Sequence, residues 1–185
     1  MARLIYSAIA SLDGYIEDRD GKFGWAKPDA EVHSFVNEQE RSVGTHLYGR
    51  RLYETMRYWE DGGDGPDDPP EAHEYAAIWR AADKVVYSRT LTEATTARTR
   101  IEPEFDPDSV AALKVAAERD LGIGGAGLAA QALAAGLVDE VSLFLHPVAV
   151  GGGKPALPVA GRLDLDLLGQ RRFESGVVLL RYGLS

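Results

Sequence analysis

The sequence predicts an α/β fold with a mixed, mostly parallel sheet that is covered by helices on both faces and closed by an antiparallel hairpin. Strand-like segments alternate with helix-like segments from Leu4 to Val150, which is typical of a parallel sheet. The last two apolar segments, 163–173 and 177–182, are joined by the short turn Glu174–Gly176, which is typical of a hairpin. The 185 residues are 45% apolar and 26% charged, which fits one domain over residues 1–185.

The first half of the chain begins with a strand and contains two predicted helices. Leu4–Ala10 alternates like a β-strand and ends at the turn residues SLDG, after which a long loop reaches about Pro28. Apolar residues recur at helical spacing after Asp29, which predicts an amphipathic helix ending at Gly44. The next segments are predicted as a buried strand, a helix and a polar loop: Thr45–Tyr48, Arg50–Met56 and Trp59–Pro70.

The second half of the chain repeats this alternation before the hairpin. The predicted helices are Glu71–Ala82, Asp106–Ala117 and Leu128–Ala135. The predicted strands are Lys84–Ser88, Leu121–Ile123 and Val138–Val150. The three glycines Gly151–Gly153 separate the last of these strands from the hairpin.

Composition and charge exclude several classes of function. The chain has no cysteine, which excludes thiolate catalysis, cysteine-bound zinc and iron-sulfur clusters. The net charge of −9 argues against a nucleic-acid partner, because binding to phosphates requires many Lys and Arg side chains. We expect a cytoplasmic protein with no membrane partner, since no long apolar stretch or basic leader occurs. We also expect no metal, because three histidines lack ligands at metal-binding spacing: His46, His73 and His146.

A glycine motif follows the strand predicted at Leu121–Ile123. Gly122, Gly124 and Gly127 match the pattern GxGxxG, but they lie two thirds of the way along the chain, so a standard dinucleotide-binding Rossmann domain is excluded. Gly124 and Gly125 still allow close approach of a ligand to the backbone, and the helix that starts at about Ala126 offers free N–H groups to a phosphate. A plain tight turn between strand and helix stays the alternative.

Arginines follow two predicted strands at their carboxyl ends. Gly49, Arg50 and Arg51 follow one strand, and Ser88, Arg89 and Thr90 follow another. Ligands of α/β folds bind at this edge of the sheet, and guanidinium groups pair well with the 2′-phosphate of NADPH. Surface salt bridges are the alternative role of Arg50 and Arg51.

Four sequence strings together resemble the dihydrofolate reductase-like superfamily, and within it the reductase domain of riboflavin biosynthesis and its stand-alone relatives. The strings are SLDGYI, GRRLYE, VVYSRTL and IGGAGLAAQALAAGLVDEVSLFLHPVAVGGG, in this order. The resemblance implies a three-layer α/β/α sandwich, a homodimer and NADPH as the cofactor. It also implies cofactor contacts by three turns: Gly49, Arg50 and Arg51; Ser88, Arg89 and Thr90; and Gly124, Gly125, Ala126, Gly127 and Leu128.

The sequence departs from the resembled family at two places. Leu52 stands where relatives usually have Thr, so a hydroxyl that would bond a phosphate is absent, and we expect altered cofactor binding. Dihydrofolate reductases carry a carboxylate on the first helix for the pterin ring. The matching region here offers only Glu31 and His33, which argues against true dihydrofolate reductase activity.

These features predict an NADPH-dependent reductase of a small polar heterocycle, such as a pteridine or a riboflavin precursor. Asp13 and His33 are the candidate catalytic residues, and Trp25 and Trp59 are candidates for the substrate-pocket wall. Asp13 in a simple Asx turn, and His33 and the tryptophans in packing roles, are the alternatives. One rival function is a dedicated 5-amino-6-(5-phosphoribosylamino)uracil reductase, for which Lys154 and Arg162 are the candidate phosphate ligands. The other rival is a non-catalytic nucleotide-binding protein.

Overall fold

The computed structural model describes residues 1–184 and contains ten strands and six α-helices in that part of the chain. The strands are β1 (Leu4–Ser11), β2 (Tyr15–Asp18), β3 (Val43–Gly49), β4 (Asp83–Tyr87), β5 (Thr99–Glu102), β6 (Asp120–Gly124), β7 (Glu140–His146), β8 (Gly153–Pro155), β9 (Leu165–Arg172) and β10 (Val178–Leu184). The helices are α1 (Ala30–Glu40), α2 (Arg50–Met56), α3 (Tyr58–Asp61), α4 (Pro70–Ala81), α5 (Pro107–Ala116) and α6 (Ala126–Ala134). A short 3-10 helix, Gly24–Ala26, precedes α1.

Eight strands form one sheet in the order β5-β4-β3-β6-β1-β7-β10-β9. The strands from β5 to β7 in this order pair in parallel, and β10 runs antiparallel to both of its neighbours. A separate two-stranded sheet pairs β2 with β8. The predicted α/β class, with a mostly parallel sheet and a terminal antiparallel hairpin, is therefore confirmed.

Capping residues account for the start of two helices. The carboxylate of Asp29 accepts a hydrogen bond from Val32 N at 2.9 Å at the start of α1. Asp106 accepts from the backbone N–H of Asp108 and Ser109 at the start of α5. Acceptors at this position satisfy N–H groups that have no partner within the helix, so these two residues fix where the helices begin.

Apolar side chains cover both faces of the sheet. One face packs against α5 and α6, with Leu4, Tyr6 and Leu47 in the largest buried cluster. On the opposite face, α1 covers Phe144 and Phe173, whereas α2 and α4 cover residues of β3 and β4 that include Tyr48 and Val86. The result is three layers: helices, sheet and helices.

Several predicted boundaries were wrong. The connection expected as a loop up to Pro28 contains β2 and the 3-10 helix, and the predicted loop Trp59–Pro70 contains most of α3. The strand β5 was not predicted at all, and the predicted strand Val138–Val150 is confined to β7. Short strands such as β2 and β5 depend on pairing with distant residues, which local periodicity does not reveal.

The helix predicted to run to Gly44 ends instead at Glu40, and Val43 belongs to β3. Val43 is buried in the sheet next to β6, where a β-branched side chain packs well. Among residues 1–184, no helix is long and apolar enough to cross a membrane.

Candidate cofactor and substrate site

Three turns meet at the carboxyl edge of the sheet. The strands β4, β3 and β6 are consecutive neighbours, with Gly49 in register with Tyr87 and Tyr48 in register with Gly124. The turns that follow these strands begin at Ser88, Gly49 and Gly125, so they lie side by side. The structure thus brings together the three segments that the sequence predicted to bind a cofactor.

The Gly125 turn leaves open space beside the start of α6. Gly125 is the N-cap of this helix and has φ +91, a conformation that side chains with a Cβ rarely adopt. A Cβ placed there would have its nearest neighbours at 3.8 Å in Leu52 and 3.9 Å in the backbone N of Gly49. The first N–H groups of α6, at Ala126 and Gly127, have no acceptor within the helix. This cradle of backbone donors fits a phosphate group.

Leu52 explains why its neighbour must be glycine. A Cβ on Gly124 would lie 2.3 Å from Leu52 Cδ2 and 3.3 Å from the ring of Tyr48. The Leu52 side chain therefore packs on the backbone of β6 at the position where the resemblance led us to expect Thr. An apolar contact takes the place of the expected hydroxyl.

The arginines at these turns differ in their pairing. Arg50 is held by Glu54 on the next turn of α2, with 3.1 Å between Nη1 and Oε1. Arg51 and Arg89 are exposed, and neither forms an ion pair with any residue in the range 1–184. These two guanidinium groups are available to a ligand, whereas Arg50 is committed in part to its surface salt bridge.

Ser88 shapes the turn after β4. Its side chain is buried, and its hydroxyl oxygen accepts hydrogen bonds from Thr90 N at 3.2 Å and Leu91 N at 3.0 Å. Its role in this geometry is to set the backbone that presents Arg89 and Thr90, both of which are exposed.

A gap in the apolar cover lies on the α1 face of the sheet. The middle of β1 carries Ser7, which is exposed although β1 is hydrogen-bonded to β6 on one side and β7 on the other. The neighbouring strand β6 contributes Gly122 on the same face, where a Cβ would meet His46. We call this strip of sheet, floored by Ser7 and Gly122 between the two apolar clusters of that face, the central trough. Sequence reasoning missed Ser7; a serine in the middle of an otherwise apolar central strand was the available signal.

His33 and Trp59 come together beside α1. Their ring centroids are 6.0 Å apart, and the His33 ring is also 5.6 Å from that of Tyr75 on α4. Burial lowers the pKa of His33, so the ring is neutral at physiological pH. Two of the residues predicted for the substrate pocket are therefore in contact, and their catalytic and lining roles stay predictions.

Asp13 lies away from these rings and binds backbone. Its two carboxylate oxygens accept hydrogen bonds from Val150 N at 3.0 Å and Gly151 N at 2.7 Å. The Ser11 hydroxyl and these backbone amides hold the pKa of Asp13 below its usual value. The carboxylate is exposed and already ties the turn after β1 to the turn after β7, which is a positioning role. A catalytic role for Asp13 stays a prediction that this geometry does not favour.

Trp25, in the 3-10 helix that precedes α1, lies next to His146. The two rings meet edge to face with centroids 6.3 Å apart. The sequence did not single out His146 for a role in the site, because a lone histidine at the end of an apolar strand has no distinguishing pattern.

The two candidate phosphate ligands on the substrate side are not equivalent. Arg162 is paired with Asp164 through Nε at 2.9 Å and Nη2 at 2.8 Å. Lys154 lies on β8, in the small sheet with β2. Of these two basic side chains, Arg162 is therefore already paired with a neighbouring carboxylate.

Comparison with known families establishes the relationship of this chain. The family model described as the RibD C-terminal domain matches residues 2–179. The chain belongs to the RibD C-terminal domain family. A protein of Bacillus subtilis strain 168, described as the uncharacterized protein YyaP, is 33% identical over 187 residues, which cover 97% of this chain and 94% of YyaP. The predicted resemblance is confirmed.

Solved structures related to RibD share this fold. A putative riboflavin biosynthesis protein from Shewanella sp. PV-4 superimposes with a TM-score of 0.76 at 23% identity, covering 100% of this chain and 99% of that one. A pyrimidine reductase-like protein from Corynebacterium diphtheriae gives 0.68 at 16% identity, covering 100% and 92%. A diaminohydroxyphosphoribosylaminopyrimidine deaminase/5-amino-6-(5-phosphoribosylamino)uracil reductase from Thermotoga maritima gives 0.66 at 14% identity, and this chain spans 57% of its length. These likenesses confirm the predicted α/β fold with its large, mostly parallel sheet.

Proposed function

We propose that this RibD C-terminal family member is an NADPH-dependent reductase that transfers hydride to a small polar heterocycle. The observation that carries the proposal is that three turns lie side by side at one sheet edge. There the Gly125 cradle is open, and Arg51 and Arg89 form no ion pair within residues 1–184. Free guanidinium groups beside unpaired helix N–H groups in a chain of net charge −9 favour a phosphate ligand.

In this proposal, different residues at the sheet edge bind the pyrophosphate and the 2′-phosphate of NADPH. Gly49, Gly125 and the first N–H groups of α6 would hold the pyrophosphate, because their backbones approach each other without intervening side chains. Arg51 and Arg89 would pair with the 2′-phosphate of the adenosine. When bound, the cofactor supplies a hydride from its nicotinamide ring.

The substrate side of the proposal is the central trough and its aromatic wall. Ser7 provides an exposed hydroxyl on an otherwise flat floor, which suits a planar ring. His33 and Trp59, whose rings contact each other, would form a neutral wall that excludes water from the ring. His33 would offer the substrate one donor and one acceptor nitrogen as a neutral imidazole, because burial disfavours its charged form.

The relatives support a substrate that contains a ring of the pyrimidine type. The Thermotoga maritima protein is described as a uracil reductase joined to a deaminase, and the Corynebacterium diphtheriae protein as pyrimidine reductase-like. A dedicated riboflavin-pathway reductase would need a basic set for a substrate phosphate. Arg162 is already paired with Asp164, so the broader heterocycle reductase is the better supported of the two functions.

A nucleotide titration tests the proposal. We expect quenching of tryptophan fluorescence by NADPH at micromolar concentrations and at least tenfold weaker binding of NADH, which lacks the 2′-phosphate. The Arg51→Gln and Arg89→Gln variants should each lose about tenfold in NADPH affinity and little in NADH affinity. Arg57→Gln is the matched control and should leave both affinities unchanged, because Arg57 lies at the far end of α2, is exposed and forms no ion pair with the residues that the structure describes.

The possible outcomes separate the rival functions. If neither nucleotide binds, the reductase proposal is wrong. If NADPH binds but no pyrimidine or pteridine supports its oxidation, the chain is a nucleotide-binding protein without turnover. Equal affinity for NADPH and NADH would leave a nucleotide site but remove the proposed role of Arg51 and Arg89.

A further inference from the structure

Two buried polar atoms belong to neighbouring side chains, one in the segment that precedes α1 and one at the end of β7. Trp25 Nε1 and His146 Nε2 are both shielded from solvent, and neither has a hydrogen-bond partner among residues 1–184. Buried polar atoms are nearly always bonded, and leaving one unpaired costs about 1–3 kcal/mol. Two such atoms on side chains whose rings are 6.3 Å apart point to a shared ligand group.

The pair lies on the same face of the sheet as the central trough. Ser7 is in register with Ser142, and Ser11 is in register with His146. Side chains four residues apart on one strand point to the same face, so His146 stands above the end of the trough, about 13 Å from Ser7 along the strands. A ring bound at the carboxyl end of the trough, beyond Ser7, would have one edge facing this pair.

The chemistry of the pair is one donor beside one acceptor. An indole N–H can only donate. A neutral imidazole has one donor and one acceptor nitrogen, so Nε2 of His146 accepts when Nδ1 carries the proton. Burial lowers the pKa of His146, which keeps it in that neutral form. The negative charge of Asp29 nearby disfavours an anionic ligand at this point.

We propose that Trp25 and His146 form a subsite for the lactam edge of the substrate ring, an N–H adjacent to a C=O. The indole N–H donates to the ring carbonyl, and the ring N–H donates to His146 Nε2. Both buried atoms are then satisfied by one planar, uncharged group. This inference rests on the proposed function, because it assigns the orientation of the heterocycle in the reductase site.

Access to the subsite runs through the segment that carries Trp25. The 3-10 helix Gly24–Ala26 is flanked by exposed residues, and Trp25 and Ala26 are its only half-buried members. A backbone hydrogen bond from Ala26 N to Phe23 O, 2.9 Å long, ties the helix to the residue before it. A small displacement of this segment would admit a ring edge between the two side chains.

The test uses pyrimidin-4-one and its N3-methyl derivative as probes. Their binding to the whole protein is measured by ligand-observed NMR, with and without NADPH. We expect the methyl derivative to bind at least tenfold more weakly, because it has no N–H for His146. His146→Phe should weaken pyrimidin-4-one about tenfold and abolish the difference between the probes. His146→Gln, which keeps an acceptor, should retain part of the difference, and Trp25→Phe should weaken both probes alike.

The outcomes distinguish this subsite from the proposed function. Equal binding of the two probes to the unmodified protein overturns the subsite without requiring any variant to fold, and it is the result expected if the two side chains bond only to each other or to a water. Failure of pyrimidin-4-one to bind at all overturns it as well. Unchanged NADPH affinity in the Phe variants shows that any lost probe binding is local. If NADPH fails to bind but the probes are discriminated, the subsite stands and the reductase function falls.

Discussion

Glu40 and His46 form a largely buried pair beneath the end of α1, with 3.5 Å between Glu40 Oε2 and His46 Nε2. Burial raises the pKa of Glu40 to about 7 and lowers the pKa of His46 to about 4. The stability that Glu40 contributes is therefore present below pH 4.5 and is lost as the pH rises through about 7. His46 acts in the opposite sense, because its contribution is lost as the pH falls from 6.5 toward 4.

Replacing the buried carboxyl group tests this residue-scale effect. Glu40→Gln keeps the shape of the protonated side chain, so we expect it to raise the free energy of unfolding by about 1–3 kcal/mol at about pH 8 and by much less at about pH 5. Urea unfolding at the two pH values measures the difference. Glu38→Gln, at an exposed position of the same helix, controls for the loss of one negative charge. A gain that is independent of pH would contradict the assignment.

The turn from β6 into α6 is the element on which cofactor binding depends in our proposal. Gly125→Ala places a Cβ at φ +91, where steric room exists but the backbone conformation is strained. We expect a loss of about 1–3 kcal/mol in urea unfolding together with weaker NADPH binding. Gly127→Ala, two residues further along, has nothing within 4 Å of the new Cβ and lies inside the helix, so it should be neutral or stabilising. Equal effects of the two substitutions would refute the role of the Gly125 conformation.

At the scale of the whole molecule, β9 forms one of the two edges of the eight-stranded sheet and exposes apolar side chains. Leu167 and Leu168 are 58% and 54% exposed there. An unpaired edge strand with exposed leucines favours association, and we propose a second copy of this chain as the partner. The double variant Leu167→Lys, Leu168→Lys should be a monomer by light scattering, with unchanged NADPH affinity. A monomeric unmodified protein at micromolar concentration would rule out the homodimer.

The cofactor side of the candidate site was predictable from the sequence, because it consists of glycine turns and of arginines that follow apolar strands. The helix Arg50–Met56 has the bounds that its sequence predicted, and the turns at Gly49, Ser88 and Gly124–Gly125 were recognised from glycines and arginines that follow apolar strands. Asp13 shows the limit of such reasoning. The sequence predicts a candidate catalytic acid at this turn aspartate. Only its two long-range hydrogen bonds, accepted from Val150 N and Gly151 N, show that the carboxylate ties two turns together.

The sequence by itself determined the alternation of strands and helices, the terminal hairpin and the glycine turns, because these follow from short-range periodicity and the conformational preferences of glycine. Only the tertiary structure decided the strand order, which sets the three turns side by side. It also exposed Ser7 in the middle of a paired strand and buried Trp25 Nε1 and His146 Nε2 together. The physical reason is that burial and pairing are properties of residues distant along the chain: Trp25 and His146 meet only when β7 is laid beside β1 and the segment before α1 folds over both.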